Sequence, residues 1–226
     1  MKIAIIGSGL SAITIAQNLK HIAKISLFEK SRGVGGRMAH RRSGPYEFDH
    51  GAQFFTAKSD LFKDFISPLI KKNIVKIWNA NFAEFKNTKL LRNITWDLEY
   101  PHYVGSPGMN SIAKYYAIEL DIKLNTQVEK VIKKNNNSWE LFDSNLNTLG
   151  DFDWVISTAP ALQSAEILPK YFKYHSDLLN KKMLGCFSLM LGFKKPLPLN
   201  WDAALISDAD ISWVSINSSK PDRAKP

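Results

Sequence analysis

The chain is poor in the residues that staple, anchor or metallate a protein. One cysteine, Cys186, stands among 226 residues, which excludes internal disulfides. No Cys/His spacing has the form of a zinc site, so no metal is expected. No apolar run reaches the length of about 18 residues that a membrane-spanning helix needs, and no membrane partner is expected. The apolar stretch after Met1-Lys2 lasts only about five residues before glycines interrupt it, too short for a secretion signal. A reducing, cytoplasmic compartment is the expectation. Set in Leu184-Gly-Cys-Phe-Ser-Leu-Met190, Cys186 reads as a buried small hydrophobe in a strand. Acidic residues are the scarcer charge, 21 against 30 basic, for a net charge of +9. The lysines come as scattered pairs such as Lys71-Lys72, Lys133-Lys134, Lys181-Lys182 and Lys194-Lys195. Aromatics do not interleave with them as a base-stacking platform requires, so nucleic acid is not an expected partner. No nucleophile set, paired carboxylates, internal repeat or low-complexity tract stands out. At 45% hydrophobic and 23% charged, the composition is that of an ordinary globular chain.

What the chain does have is glycine in two tight clusters. Lys2-Ile-Ala-Ile-Ile-Gly7 is a short apolar run, as a fully buried parallel strand requires. Gly7-Ser-Gly9-Leu10-Ser11-Ala12 follows it, in the G-x-G-x-x-A pattern of a dinucleotide fingerprint. Gly7 allows a tight turn, Gly9 lets a pyrophosphate approach bare backbone, and Ala12 packs helix onto sheet. The helix starting near Leu10 directs unpaired N–H groups and its positive dipole end at the phosphates. A second strand, Ile25-Ser-Leu-Phe28, ends on Glu29, 20 residues after Gly9. There a carboxylate accepts both ribose hydroxyls and repels a 2′-phosphate.

The second cluster, Arg32-Gly-Val-Gly35-Gly36-Arg37, comes directly after Glu29-Lys30. This stretch resembles the one following the dinucleotide fold in the monoamine-oxidase-like flavoproteins. Phe48-Asp-His-Gly-Ala-Gln-Phe-Phe-Thr56, Tyr103-Val-Gly-Ser-Pro-Gly-Met109 and Val155-Ile-Ser-Thr-Ala-Pro-Ala161 are similar to segments of renalase and its bacterial relatives, a branch of that superfamily. The resemblance implies FAD as cofactor. Gly7, Gly9, Leu10, Ser11, Ala12, Glu29, Lys30, Gly35, Gly36 and Arg37 would contact it. Ala52 and Gln53 would sit beside the flavin, Val128 would meet adenine, and Thr158 and Ala159 would close over the cofactor.

The expected fold is α/β. A Rossmann-type FAD-binding domain, with parallel sheet, helices and a β-meander, occupies 1–57 and 105–160. An inserted α+β substrate domain with an antiparallel sheet occupies 58–104 and 161–226. Ser59 caps a helix to Ile70, with Leu61, Phe62, Phe65, Ile66 and Leu69 on one side and Pro68 kinking or dividing it. Residues 74–78, 82–85 and 89–92 read as strands, and Asn110 caps another helix. Gln127–Lys133 and Trp139–Phe142 flank an Asn turn as a hairpin, and Trp154–Ser157 is a buried strand. Residues 186–192 and 211–216 are the clearest later strands. The polar end, from Asn217, lacks the Gly-Asp segment with which related flavoproteins return to the cofactor domain. The resemblance therefore also implies a C-terminally incomplete family member, whose last strand is left exposed.

The implied chemistry is flavin chemistry. A substrate C–H hydride passes to flavin N5, and dioxygen reoxidises the flavin to give hydrogen peroxide. The implied substrate is a dihydronicotinamide, such as a misreduced isomer of NAD(P)H. The alternatives are an amine oxidase or desaturase, or a truncated or split flavoprotein completed by a second chain. The resemblance names no catalytic side chain. His50, Asp49 and Met109 lie in or near the matching segments, and Trp78, Trp96 and Trp201 could line a pocket or simply belong to the core.

Overall fold

The computed structural model describes residues 1–225. Its elements begin with β1 (Lys2–Ile6), α1 (Leu10–Leu19) and β2 (Lys24–Phe28), then a hairpin of β3 (His40–Ser43) and β4 (Tyr46–Asp49). α2 (Asp60–Lys71), β5 (Val75–Ile77), β6 (Asn81–Lys86), β7 (Lys89–Thr95), β8 (Tyr103–Gly105) and α3 (Ser111–Ala117) follow. β9 (Ile122–Lys123), β10 (Val128–Lys133), β11 (Trp139–Asp143), β12 (Thr148–Phe152) and β13 (Trp154–Ser157) come next. α4 (Ala161–Ile167), α5 (His175–Leu179), β14 (Ala203–Ser207) and β15 (Trp213–Ser215) complete the order. Among the described residues, no helix is long and apolar enough to cross a membrane.

The chain divides into two compact units, residues 1–36 with 113–187 and residues 37–112 with 188–225. The first carries a Rossmann-type parallel sheet. Its sheet runs β13-β1-β2-β9, and every pair is parallel. Side chains of a strand alternate between faces, so β1 divides its apolar residues between two cores. Ile3 and Ile5 pack with Ala12 and Ala16 of α1, while Ala4 and Ile6 pack with Val131, Leu141 and Phe152. The latter belong to the three-stranded meander β10-β11-β12, joined by antiparallel pairs. A run such as Ile-Ala-Ile-Ile is thus apolar throughout because a layer covers each face. All four of its residues are at most 5% exposed.

The second unit carries the sheet β15-β14-β6-β7, antiparallel except where β14 runs parallel to β6. Trp78, Phe82, Val104 and Met109 form its core, with Phe54, Trp96 and Trp213 packed against them. Trp78 and Met109 are therefore core residues, and Trp201 stacks edge-on to Phe85.

Four local expectations are corrected. Pro68 lies inside α2 without dividing it. A proline frees the carbonyl four residues earlier, here that of Asp64, and both residues are exposed, so water can take the place of the lost donor. Leu61 is 83% exposed, and of the five apolar positions only Ile66 and Leu69 are buried. Residues 186–192 form no strand: 181–200 carry no helix or ladder, and Cys186 is exposed. An alternating apolar run becomes a strand only where an edge accepts its backbone, and among the described residues no ladder pairs with it. The polar tail folds rather than leaving its neighbour bare. β15 is half-buried, and Lys220 and Arg223 are 2% and 4% exposed.

Candidate dinucleotide-binding site

Within the first unit the two glycine clusters meet backbone to backbone. β1 ends at Ile6, whose carbonyl accepts from Thr158 N at 3.0 Å and Thr158 Oγ1 at 2.9 Å. Gly7 N donates to Phe28 O at 2.8 Å, so the carboxyl ends of β1, β2 and β13 are laced together. Gly7 has φ +103°, and a Cβ there would lie 2.6 Å from Thr158 Oγ1. The fold itself demands that glycine. Gly9 is different. Its φ of −70° and ψ of 175° suit any residue. An added Cβ would touch only Gly36 Cα at 4.0 Å, an ordinary contact. Gly35 N donates to Ser8 O at 3.0 Å and pairs with Gly9 in an isolated parallel bridge. Gly36, at φ +53°, would place a Cβ 3.1 Å from Gly9 Cα. The result is a patch of backbone without side chains at the start of α1, whose N-cap residue, Gly9, offers no side-chain cap. Uncapped first-turn N–H groups beside bare backbone suit a pyrophosphate.

Glu29 sits beneath this patch, 8% exposed. Its Oε2 accepts from Ser8 N and Ser8 Oγ, both at 2.9 Å, and its Oε1 accepts from Ser31 N at 2.8 Å. A carboxylate offers about four acceptor directions, so capacity remains for a sugar hydroxyl. Thr126 N donates to Glu29 O at 2.8 Å, which brings the start of β10 and the buried Val128 to this end of the sheet. Ala159, beside Thr158, accepts through its carbonyl from Ser164 Oγ at 3.1 Å. Ala12 is fully buried, Ser11 is exposed, and Lys30 reaches Gln163 Oε1 at 3.3 Å. The structure thus gathers Gly7, Gly9, Gly35, Gly36, Glu29 and Thr158 into one place.

Arg37, Ala52 and Gln53 belong to the second unit. Ala52 N donates to Arg37 O at 2.9 Å, and a Cβ on Gly51 would fall 2.1 Å from that same oxygen. The two segments are pressed together, with Arg37, Gly51 and Ala52 exposed. Gln53 turns inward. Its Nε2 donates to the carbonyls of Asp49 and Gly51, and its Oε1 accepts from Ser215 Oγ at 2.8 Å and Lys220 Nζ at 3.0 Å. All of its amide groups are spent inside the protein.

Asp49 is the centre that the sequence reading undervalued. Its side chain is fully buried. Oδ1 accepts from His40 Nδ1 at 2.9 Å and Met109 N at 3.0 Å. Oδ2 accepts from Arg223 Nε at 3.1 Å, Arg223 Nη2 at 2.7 Å and Lys220 Nζ at 3.3 Å. Burial pushes this carboxyl upward, but the His40 hydrogen bond and the Lys220 and Arg223 charges hold it well below the usual carboxylate range. Asn217 completes the attachment. Its amide accepts from Asp49 N at 3.2 Å and donates to Glu47 O at 2.8 Å, filling the edge of β4 opposite β3 as a peptide group would. The signal available was the row of Asn217, Lys220 and Arg223 in an otherwise loop-like tail. Spacing alone could not show that it returns to Asp49.

A family model described as an NAD(P)-binding Rossmann-like domain matches residues 5–69. Over 103 residues the chain is 28% identical to 4,4'-diapophytoene desaturases of several Staphylococcus aureus strains, such as Newman and USA300. That match spans 45% of this chain and 18% of those proteins. A solved structure assigned as a protoporphyrinogen oxidase from Exiguobacterium sp. 255-15 overlays with a TM-score of 0.72 at 11% identity, covering 100% of this chain and 74% of that one. A protein from Pyrococcus furiosus overlays with a TM-score of 0.64 at 13% identity, covering 98% and 76%. The overlays show a fold shared with these solved structures, and the family match places a Rossmann-like domain at its start. The Rossmann-like match and the side-chain-free backbone at Gly9, Gly35 and Gly36 agree on a dinucleotide as the ligand of this unit.

Proposed function

We propose that the chain binds FAD and acts as an oxidoreductase on a small reduced substrate, a dihydronicotinamide such as a misreduced NAD(P)H isomer. The observation that carries the reading is the contact between the two glycine clusters, with Gly9 unsubstituted although nothing in the fold requires it. Backbone N–H groups at the start of α1 hold the pyrophosphate, Glu29 holds the ribose, and the start of β10 at Val128 receives adenine. Arg37 adds a fixed fork of donors. Ala52 meets the flavin ring, and Gln53 sets the shape of that segment from behind. Bound FAD supplies the redox chemistry, accepting a hydride from the substrate and returning electrons to dioxygen as hydrogen peroxide. The chain's part is to bind and orient. The net charge of +9 favours a phosphate-bearing substrate.

A desaturase activity on an apolar carbon is the second reading, favoured by the 28% identity to diapophytoene desaturases. One experiment addresses both. The purified protein, reconstituted with FAD, is mixed anaerobically with dihydronicotinamides, primary amines and a carotenoid precursor, and loss of visible flavin absorbance is followed. Rapid bleaching by the dihydronicotinamide is the expected result. Bleaching by the amine or the precursor alone would replace the substrate assignment. Failure to take up FAD at all would overturn the reading.

A further inference from the structure

Asp49 is a single buried carboxylate serving two buried cations. The side chains of Lys220, Arg223 and Asp49 are all 0% exposed. Among the described residues no other carboxylate comes within ion-pair distance of either cation. Glu47 faces His40 at 3.9 Å and Arg42 at 3.0 Å, and Asp222 pairs with Lys76. One cation would satisfy Asp49. Burying a second, without its own counter-charge, costs stability.

The two cations are not equivalent. Arg223 spends Nε and Nη2 on Asp49, and its nitrogens also donate to Gly105 O at 2.8 Å and Pro221 O at 3.1 Å. Lys220 holds Asp49 only at 3.3 Å, leans over the Trp78 ring at 5.3 Å, and makes its shorter bond, 3.0 Å, to Gln53 Oε1. Burial pulls its ammonium down to about 8, with Asp49 pulling the other way and Arg223 adding to the fall. Lys220 is thus the surplus charge. It lies on the buried side of the segment 51–53, whose outer side, Gly51 and Ala52, is open. A charge retained against stability, behind an open segment, has the character of a functional group.

We propose that Lys220 is an electrostatic positioning residue for the flavin, acting through Gln53 to favour the reduced, negatively charged ring. This rests on the reading that Ala52 faces the flavin, with Gln53 behind it. Reduction adds two electrons and one proton to the ring and leaves it with one negative charge. A fixed cation behind its contact segment then strengthens binding of the reduced form over the oxidised one. Lys220 neither gives nor takes the proton in this role.

The test compares wild type, Lys220→Met and Lys220→Arg, each reconstituted with FAD and photoreduced anaerobically against a reference dye. Lys220→Met is expected to bind reduced relative to oxidised FAD at least about tenfold less favourably, a fall of about 30 mV for the two-electron couple. Lys220→Arg restores the wild-type potential. A merely structural role would move the melting temperature and leave the potential in place. Flavin bound with an unchanged potential in Lys220→Met overturns the inference alone, whereas wild type that binds no flavin overturns this and the proposed function together. Should Lys220→Met lose its flavin, the wild-type potential is followed with pH. An added downward slope as Lys220 deprotonates, beyond that of Lys220→Arg, supports the role. Parallel slopes overturn it.

Discussion

Replacing Gly9 by serine separates what the fold needs from what a ligand needs. In the structure the Gly9 backbone is ordinary, and an added Cβ meets only Gly36 Cα, at 4.0 Å. Position 9 is the residue before α1, where a serine hydroxyl can accept from the N–H of Ser11 or Ala12. Serine and glycine differ there by only a few tenths of a kcal/mol, in favour of serine. At about 2–4 °C per kcal/mol for a chain of this size, the ligand-free melting temperature should hold or rise by no more than about 2 °C. Binding should move the other way. The new side chain occupies the approach to the backbone and takes a first-turn donor that a phosphate would use. Losing two charge-assisted hydrogen bonds at about 1.5 kcal/mol each costs about 3 kcal/mol. That corresponds to roughly a hundredfold in dissociation constant. Titration calorimetry with FAD and with ADP, together with thermal melts of the ligand-free protein, measures both signs. Unchanged affinity for both ligands in Gly9→Ser would refute the assignment of this patch to a pyrophosphate. A large fall in melting temperature would refute the claim that the fold does not require glycine there.

Asp49→Asn should be severe, because both buried cations then lose their counter-charge, at about 3–5 kcal/mol or a melting temperature lower by about 10 °C. Adding Lys220→Met to it should recover part of the loss, and a double variant no better than the single would contradict the charge account. The pH dependence of stability should differ between wild type and Lys220→Met. The Lys220 ammonium is lowered from 10.5 to about 8 on folding, so between those values the unfolded chain holds more protons and wild-type stability rises with pH. The gap between Lys220→Met and wild type should therefore close across that window by up to about 3 kcal/mol, as denaturant melts at its two ends can show. Glu29→Gln should raise affinity for a 2′-phosphorylated adenine nucleotide, relative to its unphosphorylated form, by about tenfold. That is about 1.4 kcal/mol of repulsion removed, read by competition with FAD.

The local chemistry of the first unit was legible in the chain because it depends on short-range rules. A buried parallel strand must be apolar throughout, a turn at φ +103° must be glycine, and a carboxylate must end the second strand, so Lys2 to Glu29 could be placed residue by residue. The first hairpin of the meander, β10 with β11, was legible through its Asn turn, with Asn137 at φ 63°. The apolar run around Cys186 misled because alternation specifies a strand's faces but says nothing of whether an edge is there to receive it.

Tertiary structure alone decided the rest. Only the folded chain shows that Gly36 packs on Gly9, that Gln53 spends its amide inward, and that a polar tail returns across more than a hundred residues to bury Lys220 and Arg223 on Asp49. Charges so far apart in sequence leave no periodic trace. Their pairing is fixed by the desolvation cost that each would suffer alone, a quantity that exists only once the surrounding core has formed.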